Sequence, residues 1–157
     1  MMPDTPEQNL VVVWQDIEHQ YQLHDTENRY GSMRMTMFTT KSQPKMKGKA
    51  AEIKDLGQVL VPIWKKYFNP KKEMDKKILT VLEGSAHLDA ILTDHPSEWV
   101  LPPHIADDLL ATCLIMFSTQ YKLFKHFKAL NMPLFGLTGK AHALVHCCLL
   151  SRSGLSL

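Results

Sequence analysis

With 157 residues, 45% of them hydrophobic and 22% charged, the chain has the size of one folded domain and is too apolar to be disordered. Its formal net charge of +2 is uneven: residues 41–77 carry eleven Lys against four acidic residues, whereas residues 1–40 carry two basic and six acidic ones. The longest uncharged run, the 13 residues Leu109–Tyr121, is shorter than the roughly 20 needed to span a bilayer, which argues against a membrane protein.

The first helix is expected to open at Asp4-Thr5-Pro6, with Thr5 as cap, Pro6 in the first helical position and Gln8 at capping-box spacing. Leu10, Val13, Trp14, Ile17 and Tyr21 then form one apolar face. Residues 28–45 lose that rhythm. Met33, Met35 and Met37 alternate with Arg34 and Thr36, which suits an extended connector lying on the helices, and no second run offers a strand partner.

A second helix is predicted from about Lys47 to Phe68, with Met46, Ala50, Ile53, Gly57, Leu60, Trp64 and Tyr67 on one stripe. Pro62 donates no backbone hydrogen bond and should kink this helix or end its regular part. Asn69-Pro70 reads as the cap and first turn of a third helix, whose buried side is Met74, Ile78, Leu82, Ala86 and Leu88 or Ala90. The segment from His95 to Pro103 is a loop in which Trp99 acts as a hydrophobic pin. A fourth helix, roughly Pro103 to Asn131, is the most apolar. Ile105, Leu109, Cys113, Met116, Gln120, Leu123, Phe127 and Leu130 line one side, and Leu110, Leu114, Phe117, Tyr121 and Phe124 widen it. Such a helix belongs at the centre of a bundle. A fifth opens near Thr138 and carries Ala141–Leu150. The expected fold is therefore all-α, a single-domain irregular bundle of about five helices with a connector after the first.

Few residues suggest chemistry. His142 and His146 stand four apart on the last helix, as do Glu83 and His87 on the third, a spacing that lets two side chains share one face. Two such faces meeting would offer up to four ligands for a divalent metal such as zinc. The chain lacks the Glu-x-x-His pairs of di-iron bundles, His-Glu-x-x-His and Cys-x-x-Cys, so packing and hydrogen bonding are the expected roles of these four residues, and no cofactor is expected. Lys45, Lys47, Lys49, Lys65, Lys66, Lys71, Lys72, Lys76 and Lys77 could meet nucleic acid or an acidic partner, although a solvated polar face accounts for most of them. The patch contains no Arg, the residue that reads bases by bidentate contacts. Gly136-Leu137-Thr138-Gly139-Lys140 lacks the strand and earlier glycine of a phosphate-binding loop. Three cysteines, with Cys147 and Cys148 adjacent, do not make a disulfide framework, and the opening MMPDTPEQ lacks the basic residues of a secretory signal. A cytoplasmic or nuclear location is expected.

Three stretches stand out when read together: Val13-Trp14-Gln15-Asp16-Ile17 leading to Glu27-Asn28-Arg29, then Pro44 to Lys54, then Lys140-Ala141-His142-Ala143-Leu144-Val145-His146. In order and separation they resemble an abundant class of helical proteins from dinoflagellate genomes. The resemblance covers nearly the whole chain and implies no activity. In that class the His-rich helix is followed by further helix, which implies a truncated C-terminus here. Leu144, Val145, Cys148 and Leu149 make that helix apolar on more than one side, so missing cover would favour self-association. Without a catalytic signature, the expected function is a non-catalytic helical interaction module with a protein partner or a second copy of itself.

Overall fold

The computed structural model describes residues 5–38, 48–98, 100–132, 134–137 and 139–153. They include five α-helices: α1 (Pro6–Leu23), α2 (Ala50–Tyr67), α3 (Glu73–Asp94), α4 (Pro103–Ala129) and α5 (Gly139–Ser153). Among the described residues there is no strand, and helix makes up 75% of them, far above the roughly one-third of an average globular domain. The described helices include none long and apolar enough to cross a membrane. The chain divides into two compact units, Met1–Phe68 and Asn69–Leu157.

In the first unit α1 packs on α2. Thr5 caps α1 by accepting the Gln8 backbone N–H at 3.3 Å, and its hydroxyl donates to Gln8 Oε1 at 3.0 Å. Ile17, Tyr21, Tyr30, Leu56, Val59 and Ile63 form the core, with Val13, Trp14, Met33 and Met37 packed against it. The three connector methionines are half-buried and Arg34 and Thr36 exposed, as the alternation predicts, but Met35–Met37 close a 3-10 turn in place of an extended run. Residues 39–47, and with them Met46, lie outside the described segments.

The α2 stripe holds in its second half, where Leu60 and Tyr67 pack against this core and Gly57 and Trp64 are half-buried, and needs correction at its start. The buried line is Leu56, Val59 and Ile63, whereas Ala50 is exposed and Ile53 is 42% exposed. The two lines are adjacent on the same helix; the core centres on the first and takes in only Leu60 and Tyr67 of the second. Pro62 removes one intrahelical donor without ending α2, which continues to Tyr67.

The second unit is built around α4, which packs on both α3 and α5. Its core comprises Leu88, Ile91, Leu101, Ala106, Leu109, Leu110, Cys113, Met116 and Cys148. Asn69 caps a turn that precedes α3. Its side chain accepts the Lys71 N–H at 2.9 Å, its own N–H donates to Asp75 at 3.0 Å, and the helix begins at Glu73. On α3 the line facing α4 includes Val81, Gly84, Leu88 and Ile91, at steps of three and four. Gly84 faces Met116 closely: a Cβ there would stand 3.2 Å from Met116 Cβ. Trp99 lies outside the described residues, and Leu101 is the loop side chain that enters the core. Asn131, at φ 57°, ends α4 in the left-handed conformation that Asn tolerates, and the Met132 N–H returns to Phe127 O at 2.9 Å.

Candidate functional site

Glu83 and His87 project from α3 into a groove of about 260 Å3 on the α3–α4 seam, bordered also by Thr80, Gly84, Thr112 and Met116. Gly84 opens this groove because it places no side chain on the floor. His87 is bound from across the seam: its Nε2 lies 2.7 Å from Asp108 Oδ2 on α4. In a neutral ring that bond places the proton on Nε2 and leaves Nδ1 as the acceptor. The Thr112 hydroxyl reaches the other Asp108 oxygen at 3.5 Å, long enough to be weak. Asp108 is the partner that sequence spacing did not reveal, since it lies 21 residues from His87.

The second histidine pair closes on itself. His142 Nε2 and His146 Nε2 are 3.0 Å apart, with the rings edge to face at 83°. Both side chains are exposed on α5. The structure thus joins Glu83 with His87 and His142 with His146, but not the four as one ligand set. Among the described residues no group of three or more His, Cys, Asp or Glu side chains is placed to hold a metal ion.

The predicted lysine patch is distributed over both units. Lys45 and Lys47 lie outside the described residues. Lys49, Lys65 and Lys66 belong to the first unit, and Lys71, Lys72, Lys76 and Lys77 to the second. Lys66 Nζ lies 2.7 Å from Asp16, and Lys77 Nζ 2.7 Å from Glu73. Lys71, Lys72 and Lys76 are exposed.

Two carboxylates of the first unit each accept two hydrogen bonds: Asp55, from the Asn28 N–H and side-chain amide, and Asp16. Asp16 accepts from Lys66 at 2.7 Å and from the Tyr67 hydroxyl at 2.6 Å, tying α1 to the end of α2. These hydrogen bonds, led by that from Lys66, hold its carboxyl below the usual range. In the same unit a cleft of about 440 Å3 opens beside Trp14, Glu18, Tyr21, Arg29 and Tyr30. Burial pushes the Tyr21 and Tyr30 phenols upward, so both stay neutral at physiological pH.

In the second unit, Cys113 on α4 and Cys148 on α5 are fully buried in the same core cluster. Burial is the main reason that Cys148 is pushed up to about 12, where it is inert as a nucleophile. Cys147 is exposed.

One flank of α4, beside its buried side, leaves apolar side chains exposed, and its inner edge is held by Leu110, which is buried, and Phe117, which packs against the core. Leu114 is 50% and Tyr121 48% exposed, and both share a stripe with the half-buried Phe117 and Phe124. Tyr121 and Phe124 stack with centroids 6.5 Å apart. Lys125 Nζ stands 5.3 Å from the Tyr121 ring centroid and Lys128 Nζ 5.6 Å from that of Phe124. Comparison of the chain with family models, curated proteins and solved structures gives no match.

Proposed function

We propose that this protein is a non-catalytic helical interaction module that receives an amphipathic helix along the exposed apolar flank of α4. The observation that carries this reading is the stripe Leu114, Phe117, Tyr121 and Phe124. Its steps of three, four and three match the spacing by which helices anchor on one another. Half-exposed Leu and Tyr side chains lose little conformational freedom on docking compared with long polar ones, and aromatic residues are enriched where interfaces bind most strongly. Lys125 and Lys128 over the ring faces favour a partner whose apolar face is bordered by Asp or Glu.

The test is quantitative crosslinking in cell extract with the full chain and with a Leu114→Asp/Tyr121→Asp double variant. A discrete set of proteins captured by the original chain and lost with the double variant, at unchanged helix content, is the expected result. Equal capture by both chains rejects the reading.

A second reading, electrostatic binding of nucleic acid or an acidic partner, draws on the exposed Lys71, Lys72 and Lys76 at the start of α3. It requires binding to a generic duplex that weakens steeply with salt. No binding at low ionic strength removes it.

A further inference from the structure

We infer that His142 and His146 form a self-sufficient chelating site for a late first-row divalent cation on the exposed face of α5. Their Nε2 atoms already converge to 3.0 Å. Two imidazole nitrogens bound to one ion at about 2.0–2.1 Å stand about 2.9–3.4 Å apart when the angle at the metal is between about 90° and 110°. The observed separation falls inside that interval, so the rings meet the spacing of two adjacent coordination positions without a backbone change.

The helix supplies this geometry. Residues four apart lie one above the other on the same face, and both imidazoles are exposed, so no core packing has to be broken for an ion to enter. In the metal-free pair one Nε2–H donates to the other Nε2. On binding, that proton leaves Nε2 for solvent while Nδ1 of the same ring takes one up. Both rings stay neutral and present two lone pairs, with no net proton released. Imidazole nitrogen selects nickel, copper and zinc over calcium and magnesium, which prefer oxygen. The neighbouring Cys147 is one residue further along and so about 100° around the helix, and no third His, Cys, Asp or Glu among the described residues completes the set. The remaining coordination positions go to water.

The Glu83–His87 pair provides an internal contrast, because His87 already spends its Nε2 on Asp108 at 2.7 Å. The experiment is a titration of the full, untagged chain with nickel alone, followed by calorimetry and by paramagnetic broadening of the histidine ring resonances. His142→Asn and His146→Asn each remove one donor, and loss of a chelating partner should weaken nickel binding by about tenfold or more. The double variant should take up none above background, His87→Asn should bind like the original chain, and broadening should centre on His142 and His146. These exposed substitutions leave the core untouched, and an unchanged thermal melt confirms it for each variant. Original-chain affinity in both single variants overturns the inference. So does an original chain that takes up no more nickel than the double variant, or broadening centred on other histidines.

Discussion

Asp16 links α1 to α2 through two hydrogen bonds, and its carboxyl is depressed in the folded chain by Lys66 first and Tyr67 second. A depressed carboxyl contributes stability that is present above its unfolded value, about 3.9, and is lost as pH falls through the lower folded value. Acid titration of the melting temperature should therefore show a loss below about pH 4 that is absent in Asp16→Asn. At neutral pH the same substitution should cost about 1–2 kcal/mol, because Lys66 is largely exposed and its half of the interaction is screened. The three thiols separate by burial. Alkylation of the native chain should label Cys147 alone, and Cys113 and Cys148 should react only after unfolding, as peptide mass spectrometry would record. None of these pairings shows in the sequence, where Asp16 and Lys66 are 50 residues apart.

At the scale of the element, two helical glycines distinguish propensity from packing. Gly57 in α2 has nothing within 4 Å of a prospective Cβ, so Gly57→Ala should stabilise by about 0.5–1 kcal/mol through helix propensity alone. Gly84 in α3 gains the same propensity, but its Cβ would press on Met116 at 3.2–3.3 Å. Gly84→Val should therefore destabilise by about 1–3 kcal/mol through overpacking, and the two denaturation midpoints should move in opposite directions. Helix existence was legible throughout: caps, periodicity and prolines place all five within a few residues of their observed spans. Helix facing was less so. On α2 the periodic stripe through Ile53 is one of two adjacent apolar lines, and spacing alone does not say which meets a partner. On α3, Asn69 caps a preceding turn because its side chain and N–H are both engaged before the helix begins.

At the scale of the whole molecule, each compact unit has its own buried cluster, one around Ile17, Tyr21 and Val59 and the other around Leu109, Cys113 and Met116. The larger cluster belongs to residues 69–157, with α4 packed between α3 and α5. A fragment of those residues should retain helical circular dichroism and a cooperative melt, whereas residues 1–68, with the smaller core, should melt at a lower temperature or not fold. Loss of cooperativity in the larger fragment would show that its core is insufficient alone.

The all-helical class, the five helices of the described residues and the placing of His142 and His146 on one face can be read from the chain, because they depend on spacing within a few residues along one helix. Packing brings His87 to Asp108 and Asp16 to Lys66 and Tyr67, and buries Cys113 and Cys148 in one core. It also decided that Leu114 and Tyr121 remain exposed on a flank that adjoins the core side of the same helix. An α-helix repeats at 3.6 residues whatever surrounds it, so local spacing is written in the chain. Which apolar line is covered, and which distant side chain completes a pair, depends on how neighbouring helices pack, and many chain separations can satisfy the same contact.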